Sequence, residues 1–299
     1  ALVVLGVGSL GAGACAPANS AAVKRASAES ASSLAAGDYG KALERQKSLY
    51  QTDPGDRKAV EGYVATVEEV KRAGDRALGQ GRFGSAQGVY RLLLDRWAWF
   101  SGFAAKLSFG RADLEAGMRT CRTGLCEANF RRELGAGDYA KALAIYQAAL
   151  KEYPGDKDIH AGYAKGAGEV AAVGATALAA KDYALAGKVN GLLLGSLAAF
   201  EALDAPVAEG WPGRKELESA VRLCVSELTN RGLAEYRKGD LKKAIATWED
   251  LLAFDPENAE IKKAVETARA QLGRLKSITP RGSGRLGDRG PALANAKHR

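Results

Sequence analysis

Gly37-Asp38-Tyr39 returns 100 residues later as Gly137-Asp138-Tyr139, and that interval constrains the fold more than any other feature of the chain. Pro54-Gly55-Asp56 returns as Pro154-Gly155-Asp156, and Gly62-Tyr63 as Gly162-Tyr163. Leu92-Leu93-Leu94 matches Leu192-Leu193-Leu194, and Phe100 matches Phe200. A third copy starts near Leu228 and breaks off after Gly239-Asp240-Leu241 and Pro256. A long period punctuated by helix-turn signals means stacked supersecondary units, each covering the face its neighbour leaves open. Period-two runs of β-branched and aromatic residues are missing, and the 8 prolines fall at boundaries. The 46% hydrophobic content is rich in Ala and Leu, which suit close helix packing. The fold class is therefore all-α.

Each copy carries the turn signal twice. Gly37-Asp38-Tyr39 is followed 44 residues later by Gly81-Arg82-Phe83, and Gly137-Asp138-Tyr139 by Lys181-Asp182-Tyr183. With Gly239-Asp240-Leu241 this makes five units. Five residues after the start of each turn stands an alanine: Ala42, Ala86, Ala142, Ala186 and Ala244. Nine residues after it stands a bulky or planar residue: Gln46, Tyr90, Tyr146, Asn190 and Trp248. Pro54, Pro154 and Pro256 close three of the units. Gly-Asp lets the chain reverse between antiparallel helices. The alanine lets the second helix approach its neighbour closely, and the proline forbids further helix.

That constellation resembles the tetratricopeptide repeat. Residues 137–150, Gly-Asp-Tyr-Ala-Lys-Ala-Leu-Ala-Ile-Tyr-Gln-Ala-Ala-Leu, are similar to the family's second helix, as is the stretch from Lys238 to Pro256. The family's small residue in the first helix stands as Gly74, Gly174 and Gly232, whereas Ser30 and Phe130 depart from it. A 44-residue spacing exceeds the family's usual period of about 34, so the first helices should be lengthened. The resemblance covers residues 24–275. It implies a tetratricopeptide-like α-solenoid of about five helix-turn-helix units over 28–275, ending in a capping helix over 257–275. Residues 276–299 lack periodicity and are expected to be a disordered basic tail.

The first 14 residues are almost wholly apolar or small, and Cys15 follows Ala12-Gly13-Ala14. This is similar to an export-signal core ending in a bacterial lipobox, with Cys15 as the lipidated residue. The run is too short to span a membrane, and the start of such a signal would lie upstream of residue 1. Residues 1–15 then form the signal and lipobox, and 16–27 a flexible tether. Ala16 after the cysteine implies the periplasmic face of the outer membrane. Gly6-x-Gly8-x-x-Gly11 also fits a dinucleotide fingerprint. That pattern has meaning only inside a strand–helix–strand unit, and no second strand follows.

Net charge is +8, of which the tail beyond Ser277 supplies +4 through five cations against Asp288. The remainder is an ordinary solvated surface without an aromatic-basic ribbon, so no nucleic acid is expected. The chain has two histidines, and neither belongs to a metal or nucleophile motif. His160 reads as a half-exposed residue at a helix start. Cys121, Cys126 and Cys224 read as buried structural thiols. Five residues on a helix separate the first two by roughly 8–9 Å, too far for a disulfide. No catalytic constellation and no cofactor are expected.

The resemblance places partner contacts on the first helix of each pair. The corresponding positions are Glu68, Lys71 and Asp75, then Glu127 and Arg131, then Gly168, Ala171 and Ala175, then Thr229, Leu233, Tyr236 and Arg237. Glu68, Lys71, Asp75, Glu127, Arg131, Tyr236 and Arg237 are the candidate partner-binding residues. The function so implied is a non-catalytic scaffold lipoprotein binding a protein or peptide partner in the bacterial envelope, in outer-membrane, secretion, pilus or polysaccharide-export assembly. The same residues leave two other classes open, an exported cell-wall enzyme and a cytoplasmic adaptor.

Overall fold

A computed structural model describes residues 16–201 and 212–278. The chain is all-α: 85% helical, with twelve helices and no strand among the described residues. Five helical hairpins follow in order. They are α1 (Ala16–Ala35) with α2 (Tyr39–Thr52), and α3 (Arg57–Gly79) with α4 (Phe83–Asp95). The short α5 (Trp97–Phe100) and a 3-10 turn (Ser101–Lys106) lead to α6 (Arg111–Gly135), which pairs in sequence with α7 (Tyr139–Glu152). Then come α8 (Lys157–Ala179) with α9 (Tyr183–Glu201), and α10 (Arg214–Arg237) with α11 (Leu241–Leu252). The last helix is α12 (Ala259–Ile278). The first members from α3 onward run 23 to 25 residues, the predicted lengthening.

All five expected turns are present. Each begins on a residue in the left-handed region: Gly37, Gly81, Gly137 and Gly239 at φ +70° to +79°, and Lys181 at +58°. Glycine enters this region at no steric cost; lysine does not. The next residue caps the following helix in three of them: Asp38 Oδ1 accepts from Lys41 N, Asp138 Oδ1 from Lys141 N, and Asp182 Oδ1 from Leu185 N. The five alanines are fully buried, and the five bulky or planar residues are almost so.

Two compact units divide the chain, one holding residues up to 137 with 148–162, the other 138–147 with residues from 163 on. In the first, α1 packs on α2 and α3, α3 on α4, and α4 on α6. Its core gathers Leu43, Tyr63, Val67, Tyr90 and Leu93 with Phe100, Phe103 and Phe109 from the α4–α6 connection. Tyr63 meets Phe103 edge-on at 5.1 Å and Tyr50 meets Phe103 at 5.7 Å, favourable aromatic geometry. In the second unit, α10 packs on α9 and α11, and α11 on α12. Its core holds Leu228, Ile245, Trp248, Leu251, Ile261 and Val265.

Two boundaries differ from expectation. Residues 16–27, expected as a tether, form the first half of α1. Their alanines are the strongest helix formers, and Pro17 sits in the first turn, where its missing N–H is harmless. The closing helix was expected over 257–275 and runs Ala259–Ile278, with the Asn258 side chain capping Ile261 N at 3.1 Å. Residues 1–15, with Cys15 and the glycine fingerprint, lie outside the described residues, as do 279–299. Among the described residues no helix is long and apolar enough to cross a membrane.

Candidate functional site

The site is built around α10. Gly232 sits where an added Cβ would come within 2.1 Å of Trp248 Nε1, so only glycine lets the indole lie flat on the helix. Trp248 is thereby fully buried, with no acceptor for its Nε1–H among the described residues. One turn on, Tyr236 leans on the indole, with ring centroids 5.9 Å apart and planes tilted by 39°. Leu233 stays 38% exposed beside them. Helix α12 supplies the opposite wall through Glu260, Lys263, Ala264 and Thr267, which share one helical face by their spacing. These residues enclose a hollow of about 320 Å³, apolar at its floor and charged at its rim. Pockets that seat ligands have this make-up, apolar lining with a few polar groups. Arg237 is exposed next to Tyr236.

The other predicted contact residues fare differently. Glu68 accepts from Ser108 N at 2.5 Å and Ser108 Oγ at 2.8 Å, pinning the α4–α6 connection. Lys71 donates to Asp75 Oδ2 at 2.8 Å, and Tyr90 Oη–H donates to Asp75 Oδ1 at the same distance. Burial, with the Asp75 carboxylate beside it, raises the Tyr90 pKa well above the ordinary phenol value. These three charges therefore hold the first unit together. Glu127 and Arg131 pair at 3.7 Å on an exposed face of α6. Gly168, Ala171 and Thr229 are partly buried and Ala175 exposed, all of them small side chains. Of the expected groove positions, the structure brings Leu233 and Tyr236 into one hollow. Sequence reasoning missed Glu260, Lys263 and Thr267; the period of three and four along α12 was the available signal.

No metal-binding cluster of His, Cys, Asp or Glu is present among the described residues. Cys121, Cys126 and Cys224 are buried free thiols, and burial raises the pKa of each. They are poor nucleophiles in that state. His160 is half-buried at the start of α8, with Nε2 2.6 Å from the Pro154 carbonyl oxygen.

Residues 133–165 match the family model of the tetratricopeptide repeat. The match runs from the end of α6 through the turn at Gly137 and all of α7 into α8. That is one of the five units whose turn, alanine and planar residue recur along the chain. This stretch of the chain is thus a tetratricopeptide repeat, and the all-α succession of hairpins around it is consistent with that repeat. This class serves protein–protein interaction and is typically non-catalytic scaffolding. No curated protein and no solved structure matches the chain.

Proposed function

We propose that the chain is a non-catalytic scaffold that holds a protein or peptide partner, and that the α10–α12 hollow seats an apolar side chain of that partner. The observation carrying this is Leu233, a large apolar side chain 38% exposed beside Tyr236 and Trp248. Gly232 and Trp248 behind it are buried, and Tyr236 is half-buried. A photo-crosslinking residue placed at position 233 should give a discrete adduct in cells, and the added substitution Tyr236→Ala should abolish it. The same probe at Leu223, 47% exposed on the same helix, is the control. Equal adducts from both positions would defeat the assignment.

The place of action is proposed from the sequence. The apolar run before Cys15 and the Ala-Gly-Ala-Cys ending support a lipid anchor on Cys15 and a periplasmic position at the outer membrane. Envelope assembly is the setting that suits a tethered scaffold. One acyl chain binds a membrane only marginally, whereas several on one residue hold it. Cys15→Ser, expressed in the native gene context, should release the protein from the membrane fraction or leave it unprocessed. Identical fractionation of the two proteins, with no labelled palmitate in either, would exclude the anchor.

A further inference from the structure

We propose that the cleft between α6 and the start of α8 is a second docking point, one that takes carboxylate side chains from an acidic protein segment. The cleft encloses about 530 Å³ and is lined by Arg119, Arg122, Tyr153, Asp156, Lys157 and Asp158. Arg122 is held in place twice. Its guanidinium lies 3.6 Å over the Tyr153 ring centroid, and Nη2 donates to Asp156 Oδ2 at 2.8 Å. A fork fixed this way loses little freedom when it takes an anion.

The helix end itself is already in use. Asp156 Oδ1 accepts from Asp158 N at 3.1 Å and from Ile159 N at 3.3 Å. Asp156 is thus satisfied by the α8 amides and by Arg122. Arg119 and Lys157 remain, both exposed and neither in an ion pair among the described residues; Asp158 is the one opposing carboxylate left. The lining therefore keeps a surplus of about one positive charge with a positioned guanidinium beside it. A single carboxylate at a time suits that surplus. A polyphosphate backbone would meet Asp158.

The first copy of the repeat separates this arrangement from simple capping. One hundred residues earlier the same turn has Asp56, whose Oδ1 accepts from Lys58 N at 2.8 Å, so the cap is common to both. In place of Arg119, Arg122 and Tyr153 stand Asn19, Ala22 and Asp53. The stacked arginine and its ring are therefore extra to what the helix start needs.

The test is fluorescence anisotropy of a fluorescein-labelled hexaglutamate peptide, with its C-terminus amidated, titrated with the intact chain at low salt. Removing Arg119 and Lys157 together (Arg119→Ala with Lys157→Ala) should weaken binding about five- to tenfold, the combined effect of two exposed charge contacts. Arg57→Ala with Lys58→Ala removes the same charge from the first copy and should change it less than about twofold. Leu233→Glu should leave it unchanged, which keeps this result separate from the α10–α12 hollow. Circular dichroism confirms that the variants are folded. The proposal is overturned by an absence of peptide binding to the parent, or by equal losses in the two double variants. It is also overturned if inorganic phosphate or a short single-stranded oligonucleotide displaces the peptide as strongly as unlabelled hexaglutamate does.

Discussion

Replacing Gly232 by alanine tests the register of the whole stack, because the same position recurs as Gly74 with a different neighbour. At Gly232 the new Cβ would sit 2.1 Å from Trp248 Nε1 and 2.6 Å from both Cδ1 and Cε2. Trp248 is 1% exposed, so the ring has nowhere to retreat. At Gly74 the nearest atoms are Tyr90 Cε1 at 3.0 Å and Val89 Cγ1 at 3.1 Å, contacts relieved by a few tenths of an ångström. Glycine to alanine inside a helix gains about 1 kcal/mol in backbone entropy. Overpacking a closed core costs about 1–3 kcal/mol, and Gly232, with three ring atoms inside contact distance, belongs at the upper end. The net expectation is a loss of about 1–2 kcal/mol for Gly232→Ala and a change within about 0.5 kcal/mol for Gly74→Ala. Urea unfolding followed by circular dichroism at 222 nm reads both. If Gly232→Ala is no less stable than Gly74→Ala, the indole does not lie on α10 as described.

Three further outcomes follow from the repeat. Ala142→Leu and Ala244→Leu, each at a fully buried position, should each cost about 1–3 kcal/mol in the same urea assay; melts within error of the parent would contradict the register. Lys181 holds φ +58° where the other four turns have glycine, so Lys181→Gly should stabilise by up to about 1 kcal/mol, and a loss would show that the turn is unstrained. Hydrogen bonds from Lys41, Lys141 and Lys243 hold the carboxyls of Asp38, Asp138 and Asp240 below the ordinary value of 3.8. Their contribution is present above that value and is lost as pH falls through the lower folded values. The melting temperature should therefore drop on acidification below about pH 4, and the triple Asp→Asn variant should drop less.

The fold was legible because its determinants are local. A left-handed glycine, a cap, an alanine that permits close approach and a planar residue nine positions on are each fixed by the backbone they sit in. Their spacing survives in the sequence even where the residue changes, as at Lys181. The α10–α12 hollow was half legible. Leu233 and Tyr236 stand at positions the repeat defines, but the facing wall belongs to α12, whose polar face reads as solvated until the helix is docked. Glu68, Lys71 and Asp75 were legible as first-helix positions, but their internal hydrogen bonds were not. Lys71 and Asp75 pair at i,i+4, but the further partners, Tyr90 for Asp75 and Ser108 for Glu68, lie 15 and 40 residues away, beyond any helix spacing rule. Residues 16–27 show a third limit, since small polar composition describes a tether and an alanine-rich first turn equally well.

The two copies of the repeat share a scaffold and spend their variable positions differently. In the first, Tyr63 is packed by Phe100 and Phe103, and Lys47 and Arg96 both lie over Trp99. At the matching positions of the second, Gln147 Nε2 donates to Tyr163 Oη at 2.8 Å and to Ser196 Oγ at 3.3 Å. A lysine and an arginine over a half-buried indole have thus become a short polar bridge. The first copy closes itself with its own aromatic residues and uses its first-helix charges as internal ties. The half copy that follows the second leaves a leucine open beside a buried indole. That difference, and not the repeat itself, is why a partner site is assigned to α10 and α12 and none to α3.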